Sequence, residues 1–143
     1  MQSQLRGLVD EISTWPGVSV APHRFGGKEF LFADAEVGHI HPGGVLDIPF
    51  PRSVRNELLS QRLAEPHHWL PTSGWITFHI QSDDDLRQAL WLLRLSYLRY
   101  SLKVSPDPRA TFEDESERLQ LAAQFRQLFE KFIPAPATAQ SAA

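Results

Sequence analysis

The chain has no cysteine, which removes disulfides, thiol nucleophiles and any zinc site built on thiolates. It has no run of five basic residues, and its net charge is -3, so a generic nucleic-acid binder is not expected. The longest apolar stretch, Ala89 to Leu98, is interrupted by Arg94 and is too short to span a bilayer. The opening Met1-Gln2-Ser3-Gln4-Leu5-Arg6 has neither the basic nor the apolar segment of a signal peptide. No glycine-rich phosphate loop joins a strand to a helix. Ser53, Ser73 and Ser96 lie outside a nucleophile-elbow pattern. These absences leave a cytoplasmic, non-membrane protein as the expectation.

What is present is ordinary in bulk and unusual in one place. With 143 residues, 42% hydrophobic and 22% charged, the chain has the composition of one globular domain with a real core. Leu5, Leu8, Val9 and Ile12 recur at helical spacing. Strand-like runs follow at Val18–Phe25, Glu29–Ala33, Ala35–His41 and Val45–Pro49, with turn signals at Gly26-Gly27, Asp34 and Pro42-Gly43-Gly44. Their order predicts a four-strand antiparallel meander. Pro51 opens a helix with Val54, Leu58 and Leu59 on one stripe. A short extended piece, Ala64–Leu70, precedes an alternating strand at Trp75–Ile80. Ser82 and Asp83 to Asp85 cap a long apolar helix. After Pro106 and Pro108 a last helix is expected from about Phe112 to Ile133, then a disordered Ala/Pro/Ser/Gln tail. The fold class is α+β: an antiparallel sheet of about five to six strands with helices packed on one face, over residues 1–133 as a single domain.

The unusual place is Glu36-Val37-Gly38-His39-Ile40-His41-Pro42, with Asp47 following. On a strand, successive side chains point to opposite faces, so His39 and His41 share one, with Cα atoms roughly 7 Å apart. Imidazole serves as an acid, a base or a metal ligand near neutral pH. A metal would need a third ligand from Asp47, Glu36, His67, His68 or His79. Metal binding, metal-free acid–base or substrate-binding work, and a purely structural role all stay open on this pattern. Glu36 is offset from His39 by three residues, so a regular strand turns it away; it joins the site only if Gly38 marks a bulge. Of His67 and His68, only one can face His39. Trp69 and Trp75 are candidates to wall a small-molecule pocket, and core packing is the plainer account of both. Arg24 and Arg52 could pair an anion, with a surface role the simpler account.

Several pieces in this order resemble the fungal-luciferase-like domain family. They are Glu36-x-x-His39-x-His41, His67-His68 with Pro71, Trp75-Ile76-Thr77-Phe78, the acidic start Asp83 to Asp85, and Leu95-Ser96-Tyr97. Gly38-His39-Ile40-His41, Asp47-Ile48-Pro49-Phe50-Pro51 and Ser73-Gly74-Trp75 are similar to its bacterial branch. The resemblance runs over about residues 15 to 100. It implies oxygen-dependent oxidation of an electron-rich enol or phenol, with no added organic cofactor. The luminescent fungal members oxidise a hydroxylated styryl-pyrone; this chain differs from them between Asp47 and His67 and is expected to lack their membrane-anchoring extension. Matching positions are Glu36, His39, His41, one of His67 or His68, and Trp75. On this basis His39, His41, His67, His68 and Asp47 are candidate catalytic groups. Glu36, Trp69, Trp75 and His79 are candidate substrate contacts, and any metal would sit on His39 and His41. The expected partner is a small molecule. A non-catalytic binding module and a histidine-based metalloprotein remain the rival expectations.

Overall fold

The computed structural model describes residues 2–135, so most of the tail expected to be disordered lies outside the described residues. These residues divide into two compact units, one up to Tyr97 and one from Leu98.

In the first unit, Leu5, Leu8 and Ile12 are buried along one stripe of α1 (Gln2–Ser13). Four strands follow: β1 (Val18–Pro22), β2 (Lys28–Phe32), β3 (Ala35–Ile40) and β4 (Val45–Pro49). β1 ends earlier than expected because a short 3-10 turn, Arg24–Gly26, takes its last residues, with Phe25 and Gly26 both at positive φ. Helix α2 (Arg52–Ser60) starts right after Pro51. The expected Ala64–Leu70 strand shrinks to β5 (Glu65–Pro66), before β6 (Trp75–His79). The six strands lie in the order β1-β2-β3-β4-β6-β5, and every pairing is antiparallel. The α+β fold and the meander expected from the sequence are therefore present.

The sheet has two chemically different faces. Phe30, Leu46, Ile48 and Ile76 are fully buried on one of them. There, a Cβ added at Gly38 would meet a Leu93 methyl at 2.9 Å, so α3 (Asp83–Val104) crosses this face at close range. Ser82 Oγ accepts from the Asp85 amide at its start, satisfying one of the free N–H groups a helix leaves there. α1 runs beside α3 in the same direction: Gln4 donates to Asp83 at 2.6 Å, and the Trp15 and Tyr97 rings lie 5.3 Å apart. Arg94 stacks over both rings. The other face carries the polar groups.

In the second unit the expected Phe112–Ile133 helix is two helices, α4 (Pro108–Leu119) and α5 (Ala123–Glu130). Gln120 adopts the left-handed conformation (φ 51°, ψ 51°) and Ala122 is extended, which ends the first helix. Asp107 caps α4 by accepting from the Ala110 amide. Ion pairs Arg109–Glu130 and Arg126–Glu113 join the two helices antiparallel. Among the described residues no helix is long and apolar enough to cross a membrane.

Candidate functional site

Strand register places Glu29, His39, Asp47, Thr77 and Glu65 side by side across β2, β3, β4, β6 and β5. At the centre is Asp47, 1% exposed. A carboxylate so buried is tolerable only when its charge is met locally. Thr77 Oγ1 donates to Asp47 Oδ1 at 2.7 Å, and His39 Nε2 and His41 Nε2 each lie 3.2 Å from Oδ2. His67 Nε2 stands 3.7 Å from Oδ1.

Glu36 joins this group through a bulge. Phe30 pairs with Gly38 but Leu31 with Glu36, leaving Val37 as the extra residue of β3. The added residue reverses the alternation, so Glu36 turns to the His39 side and its Oε2 lies 2.6 Å from His39 Nδ1. Ser96 Oγ of α3 donates to the Val37 carbonyl at 2.8 Å, holding the bulge from the apolar side.

His39 thus has a carboxylate at each ring nitrogen. Its burial favours the neutral ring, but hydrogen bonds to Asp47 and Glu36, with their charges, outweigh that and raise its pKa to about 9. Burial pushes the Asp47 carboxyl up, yet hydrogen bonds from His39 and Thr77 hold it well below the usual carboxylate range. His67 behaves differently. Its Nδ1 accepts from the Trp69 and Leu70 amides, at 3.2 Å each, so the proton of the neutral ring is on Nε2, facing Asp47. Burial holds its pKa down.

The remaining candidates are less central. Trp75 lies 5.4 Å from His39 and 6.0 Å from His67, ring to ring, and forms a wall. His68 is exposed and stacks on His67 at 4.4 Å. Trp69 is 77% exposed, with its ring edge-on to His68 at 4.7 Å and its amide donating to His67 Nδ1. His79 is exposed and faces Glu65 at 3.7 Å. Two participants were not singled out in the sequence. Thr77 shares a strand face with Trp75 and His79, but its place opposite Asp47 depends on register. His23 follows β1 directly, bonds Glu29 at 3.0 Å and stacks on His39 at 4.0 Å; nothing in its local sequence marks it.

Among the described residues, ligand atoms close enough to share a metal ion occur in groups of His23 with His39 and His41, and of Asp47 with His67 and His68. A cavity of about 290 Å³ opens beside His41, lined by Leu5, Val9 and Ile40, with Arg6 and Lys28 among its polar residues.

Fold and cluster together define an α+β domain whose antiparallel sheet carries a buried histidine–carboxylate centre. Residues 34–96 match the family model of the Luciferase domain, so this stretch of the chain is similar to that domain. That segment runs from the start of β3 to Ser96, so it contains the bulge, Asp47, Thr77, His67 and the serine that holds the bulge. No curated protein and no solved structure matches the chain.

Proposed function

We propose that this protein is an oxidoreductase that brings molecular oxygen to an electron-rich enol or phenol bound against the His39–His41–Asp47 centre. The observation that carries the reading is the buried Asp47 carboxylate with two imidazoles directed at one oxygen, inside the stretch similar to the Luciferase domain. An enol or phenol becomes reactive towards oxygen as its anion. The substrate O–H proton passes to a nitrogen of the centre, and the positive charge held on His39 favours the anion. The electron-rich carbon of that anion forms a C–O bond to oxygen, and the resulting peroxide takes up a proton. The substrate is thereby oxidised by two electrons and oxygen reduced to the peroxide level.

Supporting features are the Trp75 wall, the apolar lining of the cavity beside His41, and the burial of the centre, which limits competition from water. Glu36 and His67 act behind the reacting groups. His68, Trp69 and His79, all exposed, are assigned to the margin where a substrate enters.

Substrate-dependent oxygen uptake, screened with polyphenols and hydroxylated pyrones, tests the proposal. The expected result is uptake by the native chain and none above background with His41→Ala, whose far-UV spectrum stays native. Undiminished uptake in that variant ends the claim.

A further inference from the structure

The two equal contacts at Asp47 have an informative length. A charge-assisted N–H···O bond closes to about 2.7–2.9 Å, and His39 makes a contact shorter still on its other side, 2.6 Å to Glu36. Towards Asp47 Oδ2, however, both His39 Nε2 and His41 Nε2 stop at 3.2 Å. Ligand atoms each about 2.1 Å from one ion lie about 3.0 Å apart at octahedral angles and about 3.4 Å apart at tetrahedral ones. The spacing at Oδ2 falls between these values.

The groups around the two contacts at Oδ2 supply the chemistry a metal centre requires. Once an ion displaces the Nε2 proton, Glu36 accepts the remaining proton at His39 Nδ1 and Nε2 offers its lone pair, the carboxylate–histidine pairing that orients metal-bound imidazoles. Thr77 occupies Asp47 Oδ1 and turns Oδ2 to the histidines. His67 is excluded as a ligand, because its Nδ1 lone pair is committed to two amides and its Nε2 carries the proton. His23, stacked flat on His39 with planes 20° apart, braces that ring. Two carboxylates, Asp47 and Glu36, offset a double positive charge.

We propose that His39 Nε2, His41 Nε2 and Asp47 Oδ2 bind one divalent first-row transition-metal ion. Two imidazoles and a carboxylate, with no thiolate, suit iron, manganese, cobalt or zinc, and leave positions open for a small ligand. The oxidation proposed above would place the substrate's anionic oxygen at such a position. The inference rests on that reading for the use of the ion and not for its binding.

The test uses the full chain without an affinity tag. Elemental mass spectrometry of the isolated protein is followed by titration of the chelator-treated protein with Co²⁺, read by its visible bands. One equivalent of ion and saturable bands are expected, with both lost in His39→Ala and in His41→Ala. Glu36→Gln keeps the bands but weakens affinity about 10–100-fold. Far-UV spectra establish that each variant is folded; if a histidine-to-alanine chain is not, the Glu36→Gln affinity decides. No bands at excess Co²⁺, or bands indifferent to all three substitutions, overturn the proposal. Metal without oxygen uptake leaves this site standing and removes the proposed function; uptake by a chain that binds no ion does the reverse.

Discussion

A buried carboxylate is held at Asp47 by four separate groups, and they are not equivalent. Thr77 makes the shortest contact, 2.7 Å, and both atoms are buried. Thr77→Val keeps the shape and removes the donor, leaving Oδ1 to His67 at 3.7 Å. Losing one partner of a buried acceptor costs about 1–3 kcal/mol, so this variant should unfold at lower urea concentration by that amount, with an unchanged denaturant slope. A loss below about 0.5 kcal/mol would mean that water reaches Oδ1. Much of this centre was legible in residue types: two histidines at strand spacing and Asp47 after a turn could only meet if the two strands pair. The partners from farther away were not legible. Thr77 reaches Asp47 from a strand 30 residues on, and His23 is an unremarkable residue at a strand end until stacking on His39 is seen.

At the scale of elements, the bulge in β3 does the most to build the site. Glycine at position 38 marked where an irregularity was tolerable, but the extra residue is Val37, and what fixes it is a serine 59 residues away. Ser96→Ala should leave the Val37 carbonyl without its donor inside the core. A stability loss of about 1–3 kcal/mol is expected. It should be accompanied by a change in His39 ring resonances as Glu36 loses its fixed approach; an unaltered His39 signal would show that the strand holds the bulge without help. The meander itself was readable because alternation and turn residues agree along four successive segments. The break between α4 and α5 was not, since the left-handed residue is Gln120 where Gly or Asn would announce it. A non-glycine residue in that conformation carries a cost of order 1 kcal/mol. Gln120→Gly should accordingly raise stability by about 0.5–1 kcal/mol. Thermal denaturation that moves downwards would refute that account of the break.

For the whole chain, the metal proposal makes a claim on stability as well as on chemistry. An ion that binds the folded protein and not the unfolded one stabilises it by about 2.7 kcal/mol at a hundredfold excess over its dissociation constant. All three proposed ligands lie in the unit that ends at Tyr97, His39 on β3, His41 just past its end and Asp47 on the adjacent β4, so the ion cross-links elements that separate on unfolding. For a folding unit of this size such a gain moves the melting temperature by about 10 °C. Chelator-treated protein heated with excess Co²⁺ should therefore melt about 10 °C higher than without it, and added chelator should cancel the shift. His39→Ala should show no shift at all, because the loss of one imidazole removes the ion and not merely its geometry. Mg²⁺, which retains its water and favours oxygen ligands, should shift neither protein. An equal upward shift with Mg²⁺ would trace the effect to general screening of an acidic chain with net charge -3, and a Co²⁺ shift surviving in His39→Ala would place the ion elsewhere.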